Sequence, residues 1–435
     1  MKLIVKPASR PLAGRVTPPG DKSVSHRAAI FGGLAHGTTR IEGFLAAEDT
    51  LATLSAMAEL GARVERDGCS VEIEGGTLRA SVRALDLGNS GTGMRLLTGA
   101  LCGHPDLFGA SIELVGDASL SRRPMDRIID PLGAMGAVIE SREGCAPLVV
   151  RPIRLCAMDH RLKVASAQVK SAILLAGLHA RGRTRVTEPG ISRDHTERLL
   201  PAFGVDVARD ENCAAVTGPA PLEAALITVP GDLSSASFLL AAGLLVPGSR
   251  VEIGPTGVNP SRDGFLRIVE RMAGAAVTRR SVAESGGGSE PAAMLEVAAP
   301  ERLTGVRIPR AWVPLAIDEF PLVMALAAVA DGETLIAGAE ELRVKESDRL
   351  AVMIRQLGRL GVRIDEHVDG ATVYGGRVRG GAVDSGGDHR IAMSLAVVAL
   401  AADGPVEIAG AEWIRTSYPE FPRHLESLGA ELEWQ

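Results

Sequence analysis

A short phrase recurs six times along the chain: Leu60-Gly61-Ala62, Met135-Gly136-Ala137, Phe203-Gly204-Val205, Ala273-Gly274-Ala275, Leu360-Gly361-Val362 and Leu428-Gly429-Ala430. Each ends an amphipathic run and precedes a β-type segment such as Arg63-Val64-Glu65 or Arg363-Ile364-Asp365. A glycine at such a point ends a helix and turns the chain into a strand, because it enters the left-handed region without a Cβ penalty. The intervals between these glycines are 75, 68, 70, 87 and 68 residues. That period is too long for a solenoid and fits six copies of a βαβαββ-like unit.

A second phrase opens the other helix of each unit. It reads Gly20-Asp21-Lys22-Ser23, Gly88-Asn89-Ser90-Gly91-Thr92, Ala165-Ser166-Ala167-Gln168, Gly231-Asp232-Leu233-Ser234-Ser235, Ile317-Asp318-Glu319-Phe320-Pro321 and Gly387-Asp388-His389-Arg390. Small and aliphatic runs follow, such as Ala172 to Leu178, Phe238 to Leu245 and Val323 to Ala330. They are apolar nearly all round, so these helices are expected to be fully buried. Buried helices with strands outside them invert the usual layering. The chain has 435 residues, which calls for two or three domains. Six units group naturally into two domains of three, residues 21–231 and residues 1–20 with 232–435. The two connections near 20 and 231 are expected to act as a hinge. The segment 284–291 is expected to be a polar, Gly-rich surface loop.

Composition narrows the function classes. A net charge of −6 argues against a nucleic-acid binder that relies on a positive field. The five cysteines, Cys69, Cys102, Cys145, Cys156 and Cys213, have no metal spacing and read as reduced thiols of a cytosolic protein. The opening Met1-Lys2-Leu3-Ile4-Val5-Lys6-Pro7 is too quickly interrupted for a signal peptide, and no apolar run is long enough to span a membrane. A cytoplasmic location is therefore expected, with no nucleic acid or membrane partner.

The helix starts and adjoining loops carry Lys22, Arg27, Arg95, Arg123, Lys170, Arg193, Lys345, Arg349 and Arg390. A helix N-terminus offers unpaired N–H groups and a partial positive charge, which suit a phosphate or carboxylate. Taken alone, residues 19–27 fit a capped surface helix with solvated charges as well as an anion site, with Asp21 and Ser23 as possible caps. The whole set favours a pocket for more than one anion. Asp318-Glu319 and Glu346 are the candidate acid/base groups, since a carboxylate among cations stays ionised and accepts a proton. Asp318 could equally cap the helix that follows it. There is no Walker-type P-loop and no HExxH, and the nine histidines form no metal pattern.

Together these segments resemble the 3-phosphoshikimate 1-carboxyvinyltransferase family over essentially the whole chain. The wording that carries the resemblance is PGDKSVSHR (19–27), GNSGTGMR (88–95), GDASLSRRPM (116–125), ASAQVKSA (165–172), SRDHTE (192–197), GDLSSASF (231–238), IDEFP (317–321), LRVKESDR (342–349), GDHRIAMS (387–394) and TSYPEFP (416–422). The SAQVKSA and RDHTE wording looks closer to the family's second bacterial class. The resemblance implies an α/β fold of two inside-out α/β domains, each of three βαβαββ units, with buried parallel helices and the sheets outside. It implies transfer of the enolpyruvyl group of phosphoenolpyruvate to the 5-hydroxyl of shikimate 3-phosphate, a step toward chorismate and the aromatic amino acids. No cofactor and no metal are implied; the expected partners are the two small-molecule substrates, and a monomer is expected.

By the same resemblance, Lys22, Ser23, Arg27, Ser166, Ala167, Gln168, Arg193, Asp318 and Lys345 hold shikimate 3-phosphate. Lys22, Gly91, Arg123, Gln168, Arg349 and Arg390 hold phosphoenolpyruvate. Asp318 is the base, and Lys22 and Glu346 are both candidates for the acid at C3. Some glyphosate-tolerant relatives place Ala at the position of Gly91, so glyphosate is expected to compete with phosphoenolpyruvate here. Many relatives carry a Lys before the C-terminal Phe-Pro-type motif, whereas Thr416-Ser417 precede Tyr418-Pro419 in this chain. The resemblance therefore supplies no phosphoenolpyruvate cation from that loop. A sister enolpyruvyl transferase acting on UDP-N-acetylglucosamine uses a reactive Cys in the loop corresponding to Gly116–Arg123, where this chain has none. A non-catalytic anion-binding protein would lack the acid/base pair that Asp318 and Glu346 provide.

Overall fold

The computed structural model describes residues 1–282 and 290–435; the loop expected over 284–291 falls almost wholly outside the described residues. Twelve α-helices are present among the described residues. In chain order they are α1 (Lys22–Leu34), α2 (Glu48–Glu59), α3 (Gly91–Leu101), α4 (Asp126–Ala134), α5 (Ala167–Gly177), α6 (His195–Leu199), α7 (Leu233–Leu245), α8 (Gly264–Ala273), α9 (Phe320–Ala327), α10 (Arg349–Arg359), α11 (His389–Ala399) and α12 (Phe421–Leu428). The odd-numbered helices are buried along almost their whole length, and α7 is buried at every residue. Their Ala, Gly, Leu and Ser content leaves no polar face to wet. The longer even-numbered helices, such as α8 and α10, bury one stripe and expose the other. The recurring glycines end or follow these helices, all with positive φ between 60° and 111°.

The described residues fall into two compact units: 20–229 with Glu290, and 1–19 with 230–282 and 291–435. In the first, α1, α3 and α5 form the centre and three four-stranded sheets cover it. Each sheet has one parallel edge strand beside antiparallel neighbours. The last such strand, Leu226–Thr228, pairs in parallel with Gly37–Glu42 and so ties the end of the unit to its first sheet. Close approach of α3 and α5 depends on one glycine. A Cβ on Gly99 would lie 2.2 Å from the Ala172 carbonyl oxygen.

In the second unit α7, α9 and α11 are the buried helices. Lys2–Val5 lies antiparallel between Val406–Ala409 and Leu432–Trp434. Ala13–Val16 runs parallel to Arg250–Ile253. The N-terminal segment thus completes two sheets of the second unit. One sheet has three strands, Glu333–Ile336, Gly370–Tyr374 and Arg363–His367. Isolated parallel bridges at Thr304–Asp331 and Arg307–Leu335 stand where its fourth strand would be. Of the apolar run expected over 323–330, residues 323–327 lie in α9, which starts earlier at Phe320 after a 3-10 turn at Ile317–Glu319.

Two predictions follow from this packing. Gly99→Ala forces backbone apart at the α3–α5 contact and should cost about 1–3 kcal/mol of stability, read as a lower Tm; an unchanged Tm would mean the two helices are less tightly apposed. Burial lowers the pKa of His26 to about 3, His179 to about 3 and His389 to about 4, from an ordinary 6.5. These rings are neutral in the fold and protonate on unfolding. Their stabilising effect is full above pH 6.5 and is lost as pH falls toward 3–4, at ~1.4 kcal/mol per pH unit for each. Tm should fall steadily from pH 6.5 to 5, with these three rings taking up about three protons on unfolding near pH 5. A flat Tm over that window would contradict the buried, neutral assignment.

Candidate active site

The first-unit cluster is built on the starts of α1, α3 and α5. Asp21 caps α1, its carboxylate accepting from the Val24 N–H at 2.9 Å. Ser23, the other candidate cap, is instead the second residue of the helix. Lys22, the first helical residue, is paired with the buried carboxylate of Asp49 at the start of α2. Arg27 is 2% exposed. Its guanidinium donates to Thr196 Oγ1 (2.7 Å), the Ser23 carbonyl (2.9 Å) and Ser171 Oγ (2.8 Å). Burial lowers its pKa to about 10, with Glu197 the largest opposing influence, so it stays cationic at neutral pH.

Ser90 caps α3 by accepting from the Gly93 N–H at 3.0 Å. The buried His26 ring ties α1 to α2 and to the start of α3, with Nδ1 2.8 Å from Thr53 Oγ1 on α2 and Nε2 3.3 Å from Ser90 Oγ. Arg123 donates to the Asn89 side chain and to the Asn89 carbonyl. Asn89 in turn donates to Asp117 at 2.7 Å. Gly91 lies beneath two guanidinium groups: a Cβ there would be 3.0 Å from Arg95 Nη1 and 3.2 Å from Arg123 Nη1. Arg95 donates to Gln168 Oε1 at 2.7 Å, and Gln168 Nε2 donates to Thr92 Oγ1 at 2.8 Å. Ser166 is the N-cap of α5 and Ala167 its first residue. Arg193 is half-buried just before α6.

Lys170 is the cation whose surroundings differ from the anion-ligand expectation. It is buried, 2.8 Å from both Glu188 and Glu197. Burial works to lower its pKa, but the two carboxylates raise it overall. Both of its carboxylate partners are buried with it, so its ammonium faces protein acids on two sides.

The second-unit cluster centres on Arg349, the first residue of α10 and only 1% exposed. It donates to Asp388 at 2.8 Å, Glu346 at 2.6 Å and Asp318 at 3.2 Å. Burial alone would lower its pKa; the three carboxylates reverse this and raise it. Asp388 caps α11, accepting from the Arg390 N–H at 2.9 Å. Burial would raise its pKa, but Arg349 holds it below the usual carboxylate value. Asp318 sits in the 3-10 turn, and no side-chain cap bond is made at the start of α9. Among its partners are the cations Arg349 and Lys345, the latter at 3.8 Å. Glu346 is the more exposed carboxylate of the group.

Arg390 donates to Ser234 Oγ at 2.5 Å, to the Asp318 carbonyl at 3.2 Å and to Glu319 at 3.4 Å. Glu319 also accepts from Ser234 and lies 3.8 Å from the buried Arg262. It therefore anchors cations from inside the core and is poorly placed for acid/base exchange with solvent. Thr416 donates to the Trp413 carbonyl at 2.8 Å. The residues that sequence patterns left unmarked are the partners Asp49, Glu188 and Arg262. Each is remote in sequence from the residue it holds. All five cysteines are free, and no group of three or more His, Cys, Asp or Glu residues among those described could hold a metal. No helix among the described residues is long and apolar enough to cross a membrane.

Comparison with known proteins places this geometry in a family. The family model described as EPSP synthase (3-phosphoshikimate 1-carboxyvinyltransferase) matches residues 6–425. Proteins named 3-phosphoshikimate 1-carboxyvinyltransferase align over nearly all of both chains. That of Acidithiobacillus ferrooxidans is 50% identical, covering 99% of this chain and 99% of its own. That of Shouchella clausii is 45% identical, covering 98% and 99%. A solved structure of EPSP synthase from Acinetobacter baumannii superposes with a TM-score of 0.89 at 42% identity, covering 100% of both chains. The chain belongs to the EPSP synthase (3-phosphoshikimate 1-carboxyvinyltransferase) family.

Proposed function

We propose that this chain transfers the enolpyruvyl group of phosphoenolpyruvate to the 5-hydroxyl of shikimate 3-phosphate, giving 5-enolpyruvylshikimate 3-phosphate and phosphate. The observation that carries the proposal is the Asp318 carboxylate, held 3.2 Å from Arg349 and 3.8 Å from Lys345. Membership of the family supplies the reaction class.

Charge explains the residue types. Each substrate phosphate brings about −1.5 to −2 charges at neutral pH, and each substrate adds a carboxylate. Lys22, Ser23, Arg27, Ser166, Ala167, Gln168, Arg193, Asp318 and Lys345 are assigned to shikimate 3-phosphate. Lys22, Gly91, Arg123, Gln168, Arg349 and Arg390 are assigned to phosphoenolpyruvate. Arginine at 123, 349 and 390 suits bidentate gripping of carboxylate or phosphate. Because these guanidinium groups are already oriented by Asn89, Asp388 and Ser234, little reorganisation is needed when the anion arrives.

The reaction is an addition followed by an elimination. Asp318 takes the proton of the 5-hydroxyl as its oxygen attacks C2 of phosphoenolpyruvate, while C3 gains a proton. Lys22 and Glu346 are the two candidates for that acid. The tetrahedral intermediate then loses a C3 proton and expels phosphate, restoring the double bond. The chain is assigned to the second bacterial class on its SAQVKSA and RDHTE wording, acting as a cytoplasmic monomer on small molecules. Residues 20 and 231 are assigned as the hinge points of its two three-unit domains.

Asp318→Ala should lower kcat by about 10²–10⁴-fold. Folding should survive, because Arg349 keeps Glu346 and Asp388; near-wild-type turnover would remove Asp318 as the base. Gly91→Ala presses a methyl group on Arg95 and Arg123. It should raise KM for phosphoenolpyruvate several-fold and weaken competition by glyphosate, as read from initial rates. An unchanged KM would place phosphoenolpyruvate elsewhere.

A further inference from the structure

We propose that Lys170, Glu188 and Glu197 form a buried positioning triad that holds the shikimate 3-phosphate ligands of the first unit in register. The proposal rests on the ligand assignments above. None of the three side chains is needed to touch a substrate.

The triad links three separate segments. Lys170 lies on α5, Glu188 just beyond the strand Gly182–Thr187, and Glu197 on α6. All three are at most 5% exposed. The Lys170 ammonium bridges the two carboxylates at 2.8 Å each. Glu188 then reaches in two directions. Its Oε1 accepts from the Ser166 backbone N–H at 2.7 Å, and its Oε2 accepts from Ser192 Oγ at 2.7 Å. It so fixes the turn that carries Ser166, Ala167 and Gln168, and the residue next to Arg193. Glu197 acts on the third ligand. Its neighbour Thr196 accepts from Arg27 Nε at 2.7 Å and lies 2.7 Å from Ser171 Oγ, which itself accepts from Arg27. Glu197 is also the largest negative influence keeping the buried Arg27 charged.

A role in stability alone explains this arrangement poorly. Buried ion pairs often contribute no more to stability than well-packed apolar residues of the same volume, whereas removal of one partner leaves a charge stranded. What apolar residues could not do is orient the Ser166 N–H and the Ser192 hydroxyl. The triad carries one net negative charge, and its two carboxylates reach different loops through one shared lysine. Loss of Glu188 should therefore disturb the acceptor ligands Ser166, Ala167 and Arg193, while Gln168, which serves both substrates, stays held by Arg95 and Thr92, and Gly91 and Arg123 stay in place beside Asn89.

The test is a set of variants of the full chain, with KM measured separately for each substrate and folding followed by Tm. Glu188→Gln keeps the volume but offers an amide N–H toward groups that need an acceptor. It should raise KM for shikimate 3-phosphate roughly 10–100-fold, with KM for phosphoenolpyruvate within about twofold. Lys170→Met should show the same selectivity with a lower Tm. The pair Lys170→Met with Glu197→Gln restores the original net charge and leaves Glu188 its two loop contacts. It should recover part of the acceptor affinity lost in Lys170→Met, the remainder being Glu197's hold on Arg27, or bind shikimate 3-phosphate where that single variant does not fold. Equal rises in both KM values, or an unchanged acceptor KM in Glu188→Gln, would overturn the triad. A wild-type chain that did not use shikimate 3-phosphate would overturn the functional assignment and the triad with it. Normal wild-type turnover with unselective variants would overturn the triad alone.

Discussion

Within each unit the site depends on the small side chains that let three buried helices lie close together. In the first, Gly99 admits the Ala172 backbone, and the starts of the helices are then near enough to share hydrogen bonds. His26 reaches Ser90 from α1 to α3, Gln168 reaches Thr92 from α5 to α3, and Arg27 reaches Ser171 from α1 to α5. The second unit repeats the device with other residues. Ser234 at the start of α7, Glu319 before α9 and Arg390 on α11 meet at one point. Helix ends brought together in this way add their partial positive charges, which fall off within a turn and would be wasted if the helices were splayed.

The cations at these ends are not waiting in solvent. Arg349 is inside the protein with three carboxylates around it, and Lys22 is paired with Asp49. Burying a guanidinium is costly unless its charge and its donors are answered. The protein answers them with acids, which also fix where each donor points. An incoming phosphate or carboxylate then meets preset donors and does not have to organise them. The same acids include the groups assigned to proton transfer, so positioning and chemistry share side chains at Asp318 and Glu346.

Much of this was legible in the sequence, for reasons that differ by element. The repeat showed because glycine at a left-handed position and an all-round apolar helix both leave local marks, as at Gly361 and in Phe238 to Leu245. The cations at the helix starts showed because the repeat aligned them. Partners did not show, since Asp49 and Glu188 are fixed by contacts across 27 and 18 residues of chain, as in Lys22–Asp49 and Lys170–Glu188. That blindness is why Lys170 looked like another anion ligand. Asp318 was ambiguous for a different reason: capping and catalysis ask for the same residue at the same place. The structure adds the cations Arg349 and Lys345 beside Asp318, partners that a cap alone does not need.

Acceptor choice is the central claim, because fold and reaction class are shared with enolpyruvyl transfer to a nucleotide sugar. The most direct measurement is phosphate release from phosphoenolpyruvate by the purified chain, with either shikimate 3-phosphate or UDP-N-acetylglucosamine as acceptor. Release that requires shikimate 3-phosphate and is absent with the nucleotide sugar is the expected result. Release with UDP-N-acetylglucosamine and none with shikimate 3-phosphate would contradict it.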